Sequence, residues 1–157
     1  MKVKDILIKM PFNIENSTTL ILIIKAMKET GLDILPIVNK DMRLVGIIGL
    51  DDIAKIFAPY SGPMQTLVKS LPFLDDLVEK DFSINHVSPE MLKLCIAEDI
   101  MDTNFITISQ DTDLEKAYSI MVLHKVEIAP VTDDGHLLGI VRLLDIIQVV
   151  LKEKGLE

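Results

Sequence analysis

Two aspartates stand where helices are expected to begin, and their carboxylates are the strongest candidates in this sequence for binding a ligand. Asp52 and Asp145 each lie at the start of an apolar stretch with helical spacing. A carboxylate in the first turn is stabilised by the helix dipole and can cap free backbone N–H groups. The same carboxylate could instead accept hydrogen bonds from a bound ligand. The residues alone support these two interpretations about equally.

The residues that precede the two aspartates match only in part. Gly46 and Gly139 stand at equivalent positions before them. Three residues before the aspartate, however, one copy has Gly49 and the other has Arg142. The spacing of Arg142 and Asp145 would allow a local ion pair on a helix surface, and such exposed pairs are common and weak. Alternatively, the arginine turns into a cleft and binds a ligand.

The other chemically active residues do not form a recognisable site. His124 and Glu127 are three residues apart but span a predicted helix end, and His86 and His136 lie in predicted loops. We therefore expect no metal. Cys95 lies in an apolar run and is interpreted as a buried small hydrophobe, not as a nucleophile. The sequence shows neither a Ser/His/Asp arrangement nor a P-loop, so we expect no enzyme activity.

The elements that position these residues are predicted twice, because the chain repeats itself. Val3–Val38 aligns with Ala97–Thr132, and after a one-residue deletion the alignment continues through both aspartates. The pairs that rarely match by chance are Pro36 with Pro130, Gly46 with Gly139, and Asp52 with Asp145. We therefore predict repeat 1 at residues 1–58, a linker at 59–96 and repeat 2 at 97–157.

Each repeat is predicted to have the order β-α-β-β-α. A short extended piece leads to a helix that opens near Thr18 or Thr112, and a second helix starts near Leu50 or Leu143. The strands between the helices are predicted at Ile34–Val38 and Leu44–Ile48, and at Ile128–Val131 and Leu137–Val141.

Three local signals refine this prediction. Asp134-Gly135 indicates a tight hairpin between the last two strands. Pro36 and Pro130 are interpreted as shaping their strands and removing an unwanted N–H donor, as prolines do on edge strands. The linker is predicted to be partly helical and packed on the repeats, with Ser88-Pro89 as the start of a helix.

Composition limits the possible partners. The chain has 157 residues, 49% of them hydrophobic, and a formal net charge of −8 without a visible basic cluster. Nucleic-acid-binding surfaces are normally basic, so we expect no nucleic acid partner. The apolar run Leu20–Ile24 is too short to cross a membrane, and the N-terminus lacks the apolar core of a signal peptide. With a single cysteine, which suits a reducing compartment, we expect a cytoplasmic protein without a membrane partner.

The repeated motifs resemble those of CBS domains. The segments that match are an opening turn (Asp5-Ile6-Leu7, Asp99-Ile100-Met101), a proline-containing middle strand (Ile34–Val38, Ile128–Val131) and a strand-to-helix signature (Gly46-Ile47-Ile48 with Asp52, Gly139-Ile140-Val141 with Asp145). The resemblance covers essentially the whole chain apart from the linker. It implies an α/β fold with two tandem β-α-β-β-α CBS repeats related by a pseudo-two-fold axis.

The resemblance also implies a ligand. CBS pairs commonly bind adenosine derivatives (AMP, ADP, ATP, S-adenosylmethionine) in clefts between the two repeats. In the family's pattern the aspartate accepts hydrogen bonds from the ribose hydroxyls, and a Thr or Ser three residues earlier faces phosphate. Here Gly49 could offer a backbone N–H to phosphate instead, and Arg142 a charged bidentate contact. The implied ligand-binding residues are Asp145, Arg142, Gly139, Ile128, Ala129, Pro130, Asp52, Gly49, Gly46, Ile34 and Pro36.

These observations predict a non-catalytic regulatory sensor, a CBS pair (Bateman module), with an adenosine nucleotide as its regulatory ligand and no other cofactor. Leu20–Ile24 and Leu143–Leu151 are apolar on nearly every face, which indicates burial all round. CBS pairs usually dimerise through these helices, so we expect a homodimer. Any output would act in trans on an effector protein. The alternative is a dimerisation scaffold with degenerate clefts that bind nothing.

Overall fold

The computed structural model describes residues 1–57 and 88–156. A 3-10 helix, Val3–Asp5, comes first. The strands are β1 (Ile14–Glu15), β2 (Ile34–Val38), β3 (Leu44–Gly49), β4 (Ile108–Ser109), β5 (Ile128–Asp133) and β6 (His136–Arg142). The α-helices are α1 (Leu20–Thr30), α2 (Leu50–Ile56), α3 (Pro89–Leu94), α4 (Ala97–Ile100), α5 (Leu114–Leu123) and α6 (Leu143–Glu153). The order β-α-β-β-α occurs twice, which confirms the predicted α/β class.

Within the described residues, the strands form two three-stranded sheets with the orders β1-β2-β3 and β4-β5-β6. In each sheet the two-residue first strand pairs in parallel with the middle strand. β5 and β6 are antiparallel neighbours. Asp134 and Gly135 connect them with φ angles of 47° and 80°. A two-residue hairpin requires these left-handed values, so the hairpin predicted from Asp-Gly is confirmed.

Pro36 and Pro130 lie in β2 and β5, the middle strands of their sheets, so the motif's middle strand is confirmed and the comparison with edge-strand prolines does not hold. Pro130 is nevertheless tolerated. On one side, the pairing with β4 begins only at Val131, one residue further on. On the other side, Pro130 pairs with Ile140, which exchanges both of its backbone hydrogen bonds with Ile8. The missing N–H of Pro130 therefore removes no hydrogen bond from the sheet.

The first helix of each repeat begins slightly later than predicted. The N-cap residues are Thr19 for α1 and Asp113 for α5, whereas the sequence pointed to positions near Thr18 and Thr112. Neither N-cap side chain makes a hydrogen bond to its helix. The first N–H groups of both helices are satisfied by backbone carbonyls from distant parts of the chain.

The described residues divide into two compact units, and each unit combines parts of both repeats. The first unit contains Met1–Asn16, Pro36–Ile47 and residues 103–156, and the second contains Ser17–Leu35 and the described residues between 48 and 102. The segments that precede β1 and β4 each bind the start of a helix in the other repeat, and we call this the exchange between repeats. We call Met1–Ile8 and Cys95–Asp102 the two leading segments.

In the first unit, the leading segment of repeat 1 binds the start of α5. Val3 N donates to Thr112 O at 2.9 Å, and Leu114 N donates to Met1 O at 3.2 Å. In the second unit, the leading segment of repeat 2 makes the same pair of bonds to the start of α1. Ala97 N donates to Thr18 O at 2.8 Å, and Leu20 N donates to Cys95 O at 3.0 Å. Each leading segment thus caps a helix of the other repeat.

Both cores are almost entirely aliphatic. The first unit buries a cluster formed by Val3, Ile108, Leu114, Ala117, Met121, Ala129, Val131, Val141 and Ile146. The fully or nearly buried apolar residues of the second unit are Leu20, Ile23, Ala26, Met27, Leu35, Ile48, Ile53 and Ala97. The buried residue of each leading segment, Val3 or Ala97, therefore joins the core of the unit whose helix it caps.

One prediction about the linker can be compared with the structure. α3 begins at Pro89, and Met91 N donates to Ser88 Oγ at 3.2 Å, so the helix start predicted at Ser88-Pro89 is confirmed. The remainder of the predicted packed linker, up to residue 87, lies outside the described residues. In the part of the chain that is described, no helix has the length and apolar character needed to span a membrane.

The close approach of the first leading segment to β6 yields a stability prediction. A Cβ on Gly139 would lie 2.3 Å from Ile8 O and 2.8 Å from a Leu7 methyl group. We expect Gly139→Ala to push this segment from β6 and lower the free energy of unfolding by about 1–3 kcal/mol. Chemical denaturation measures the loss.

Gly49→Ala is the matched control. A Cβ on Gly49 would meet its nearest neighbours at 3.6 Å, which is ordinary van der Waals distance, and its φ of −106° suits any residue. We expect a change of less than about 0.5 kcal/mol there. Equal destabilisation by the two substitutions would contradict the role given to Gly139.

Candidate ligand-binding site

Asp52 both caps α2 and presents an oxygen for other contacts. Its Oδ2 accepts a hydrogen bond of 2.8 Å from Gly49 N. Its Oδ1 lies 3.9 Å from Lys55 Nζ, which is long for an ion pair, and the Lys55 side chain is 78% exposed. The Asp52 side chain itself is only 19% exposed. Asp52 therefore caps α2 through Oδ2, and Oδ1 can still accept a further hydrogen bond.

An open cavity of about 480 Å³ lies beside this carboxylate, within the second unit. Its lining comes from α2, from α4 and from the two residues that follow α4. The lining residues are Asp52, Lys55, Ile56, Asp99, Ile100, Met101 and Asp102. The volume falls in the range of about 300–1,000 Å³ that is usual for small-molecule sites. The cavity thus combines the apolar side chains of Ile56, Ile100 and Met101 with charged side chains, among them the carboxylate of Asp52.

The carboxylate of Asp145, unlike that of Asp52, is hydrogen-bonded by an arginine side chain. Arg142 Nε donates to Asp145 Oδ2 at 2.8 Å, and Arg142 Nη2 donates to Asp145 Oδ1 at 2.8 Å. These hydrogen bonds, and then the charge of the carboxylate, raise the pKa of the Arg142 guanidinium. The Arg142 side chain is 42% exposed and that of Asp145 is 17% exposed. Of the two arrangements that the spacing allowed, the structure contains the local ion pair.

The other residues predicted from the family pattern lie on the strands next to these helix starts. In the second unit, Ile34 Cγ1 lies 3.6 Å from the position of a Cβ on Gly49, and Leu50 N donates to Asp33 O at 3.1 Å. In the first unit, Ile128 pairs with Arg142 across β5 and β6. Residues 34 and 128 are half-buried; the buried members are Pro36, Gly46, Ala129, Pro130 and Gly139. The structure thus brings Ile34, Gly49 and Asp52 together.

Sequence reasoning did not assign the second leading segment to the site. Asp99-Ile100-Met101 was noticed as a repeated motif, but its place in the cavity depends on the exchange between repeats. Asp99 Oδ2 accepts a hydrogen bond of 3.0 Å from Ile96 N, which holds the turn in place. The repeated motif was the signal that could have indicated this turn. In repeat 1, Asp5 accepts the equivalent hydrogen bond from Lys2 N at 2.7 Å.

The remaining candidate residues stay outside this site. His124 is the C-cap of α5 and His136 begins β6, while His86 lies outside the described residues. Among residues 1–57 and 88–156, no three His, Cys, Asp or Glu side chains form a group that could hold a metal ion. Cys95 is half-buried, and this partial burial, together with the charge of Asp99, raises the pKa of its thiol.

Comparison with known proteins establishes the family. The sequence model of the CBS domain matches residues 3–59 and 97–152. The uncharacterized protein MJ1426 of Methanocaldococcus jannaschii is 30% identical over 155 residues, which span 96% of this chain and 92% of that protein. The chain therefore belongs to the CBS domain family, and the resemblance noted from its motifs is confirmed.

Solved structures agree with this assignment. Protein MJ1225 of Methanocaldococcus jannaschii aligns with a TM-score of 0.74 at 23% identity, over 98% of this chain and 51% of that one. The CBS domain pair of protein MJ0100 aligns with a TM-score of 0.67 at 25% identity, over 98% of both chains. That pair was crystallised with 5′-methylthioadenosine and S-adenosyl-L-methionine.

The ion pair on α6 yields a prediction for Arg142→Ala. Because the pair is partly exposed, we expect its loss to lower the free energy of unfolding by no more than about 1 kcal/mol. We also expect AMP affinity to stay within about twofold, since both observed hydrogen bonds of the guanidinium go to Asp145. Denaturation and calorimetry measure the two effects.

If Arg142 instead binds phosphate, the same substitution should weaken AMP about ten- to hundredfold, because a hydrogen bond to a charged group is worth about 1.5–3 kcal/mol. Adenosine would be unaffected in that case. A selective loss of AMP affinity would therefore overturn the structural role of Arg142.

Proposed function

We propose that this chain is a regulatory module that binds an adenosine derivative and passes the signal to an effector protein, without catalysing a reaction itself. The observation that carries the proposal is the cavity beside Asp52. There, a carboxylate from the strand-to-helix signature lines a cavity of suitable volume, together with the apolar side chains of Ile56, Ile100 and Met101. The CBS pair of MJ0100, at 25% identity, binds two adenosine derivatives, which supports the same ligand class here.

The proposed contacts follow from the lining of the cavity. Asp52 Oδ1 accepts hydrogen bonds from ribose hydroxyls, while Oδ2 keeps its bond to Gly49 N. Such bonds to a charged acceptor are stronger than neutral ones. Ile56, Ile100 and Met101 provide the apolar surface for the adenine ring.

Of the two signature aspartates, we propose Asp52 as the main ribose contact. A ligand at Asp145 would have to displace one of two charged hydrogen bonds of 2.8 Å from Arg142. At Asp52 the competing cation, Lys55, is 3.9 Å away and largely in water. The cost of engaging the carboxylate is therefore lower at Asp52.

The scaffold alternative is supported by the exposed apolar residues of two helices. Outward-facing side chains on α1 and α6 remain accessible, namely Ile21, Leu22, Ile24, Leu144, Ile147 and Leu151. Exposed apolar side chains grouped on one helix in this way mark interaction sites. A second copy of the chain would cover it, and dimerisation is compatible with ligand sensing as well as with a pure scaffold.

The ligand site predicts a selective effect of Asp52→Ala. We expect this change to weaken binding of adenosine about ten- to hundredfold, because the charged acceptor for the ribose is lost. Isothermal titration calorimetry with the whole chain measures the affinity. Asp51→Ala is the control, since Asp51 is the exposed neighbour on α2 and does not line the cavity.

Two results would contradict the proposed site or function. Equal affinities of the Asp52→Ala and Asp51→Ala proteins would show that the ribose does not use Asp52. Failure of the unaltered chain to bind adenosine, AMP, ATP, methylthioadenosine or S-adenosylmethionine would favour the scaffold. A rise in the thermal midpoint on adding a ligand provides an independent check.

Dimerisation predicts that sedimentation at micromolar concentration gives twice the mass of the chain. Leu22→Glu should weaken the dimer at least about tenfold, because it places a charge on the apolar face of α1. Lys25→Glu is the control on the same helix, where a charged side chain is already exposed. A monomer for the unaltered chain would rule out both the dimer and the dimerisation scaffold.

A further inference from the structure

The two leading segments are fastened to their helices in different ways. We call the contact of Met1–Lys4 with Gln110–Leu114 the first capping joint, and the contact of Cys95–Glu98 with Asn16–Leu20 the second capping joint. Both joints contain the same pair of backbone hydrogen bonds, one donated by the buried residue of the leading segment and one by the first residue of the helix. They differ in the side chains that surround this pair.

Charged side chains reinforce the first capping joint. Lys4 Nζ donates to Asp111 Oδ1 at 2.9 Å, and Lys2 Nζ lies 3.9 Å from the same oxygen. Lys4 N also donates to Gln110 O at 2.9 Å, so the backbone places this lysine beside its acceptor. The hydrogen bond with Asp111, and then its charge, raise the pKa of the Lys4 ammonium group, and the same contact lowers the pKa of the Asp111 carboxyl. Two cations therefore converge on one carboxylate.

The second capping joint has different residue types at the equivalent positions. The residues equivalent to Lys4, Asp111 and Lys2 are Glu98, Ser17 and Ile96. An acid, a hydroxyl and an aliphatic side chain cannot form an ion pair with one another. This joint is held by its backbone bonds and by the burial of Ala97.

We propose that Lys4 and Asp111 form an electrostatic latch that holds the leading segment of repeat 1 on α5, so that the first capping joint can be released separately from the second. The side chains of Lys4 and Asp111 are 49% and 57% exposed, so dissolved salt screens their attraction. Hydrogen bonds between uncharged backbone groups are not screened in this way. Ionic strength therefore acts selectively on the first capping joint.

Release of the latch would change the first unit. Met1 lines an open cavity of about 430 Å³ together with Leu114 at the start of α5 and with Val149 and Val150 of α6. When the leading segment detaches, Leu114 N loses its acceptor and the cavity loses the wall that Met1 provides. The inference goes beyond the proposed function, because this joint lies in the first unit and the cavity beside Asp52 lies in the second.

Hydrogen exchange of four amides in the whole chain tests the latch. The amides of Val3 and Leu114 report on the first capping joint, and those of Ala97 and Leu20 report on the second, because each donates one of the capping bonds. At about 1 M salt the screening length falls to about 3 Å. Relative to low salt, we expect exchange at the first joint to accelerate about two- to fivefold more than at the second, as suits an exposed ion pair. Equal responses of the two joints would overturn the inference.

Substitutions at the latch test which side chains are responsible. We expect Asp111→Asn to accelerate exchange of the Val3 and Leu114 amides by a similar factor at low salt, and to remove most of their salt response. Lys4→Gln should act in the same direction. The double variant should lose no more protection than Asp111→Asn alone, because both changes remove one interaction. Additive losses in the double variant would show that the two side chains act independently and would contradict the latch.

The second capping joint provides the matched control. The combination of Ser17→Asp with Glu98→Lys places the charges of the latch at the equivalent positions. We expect it to make exchange of the Leu20 and Ala97 amides sensitive to salt by about the same factor, whereas Glu98→Lys alone should not. If the combined variant stays insensitive to salt, the charges do not account for the difference between the joints and the inference fails.

Discussion

The backbone bonds between each leading segment and a helix of the other repeat are the interaction on which the rest of the structure depends. Helix N-termini leave N–H groups without internal partners, and side chains of the N-cap residue usually satisfy one of them. Thr19 and Asp113 do not do so here. Instead, the carbonyls of Cys95 and Met1 accept hydrogen bonds from the N–H groups of the first helical residues, Leu20 and Leu114. In the described structure, the first helix of each repeat therefore begins on a backbone carbonyl of the other repeat.

The same exchange creates the candidate site. α4 belongs to the second leading segment, and its bond from Ala97 N to Thr18 O places it in one unit with α2. The carboxylate of Asp52 and the turn at Asp99 therefore meet at one cavity although they come from different repeats. A bound ligand would touch the helix-capping segment directly, which gives the proposed sensor a physical connection between occupancy and the position of α1.

Asp52 and Asp145 occupy equivalent positions in the two repeats but have different hydrogen-bond partners. The two strand-to-helix signatures therefore differ in how accessible their carboxylates are. Asp52 accepts a hydrogen bond from the backbone N–H of Gly49, a residue that has no side chain to bind the carboxylate. Asp145 meets a guanidinium at the corresponding position and holds it with both oxygens. A single difference, Gly49 against Arg142, thus leaves one carboxylate accessible and engages the other. The repeat is symmetric in its backbone pattern but not in its chemistry.

The sequence by itself determined the class of fold, the repeat, the middle strands, the Asp-Gly hairpin and the helix start at Ser88-Pro89. These features depend on local periodicity and turn chemistry, which are readable along the chain. For Arg142 the sequence left two arrangements open, and the folded structure contains the local pair with Asp145. The tolerance of Pro130 within β5 and the membership of Asp99 in the cavity were decided by tertiary structure. They depend on contacts between residues distant in sequence, such as Ile8 with Ile140. Spacing along a chain does not encode which distant backbone will supply a hydrogen bond, so only the folded structure could decide them.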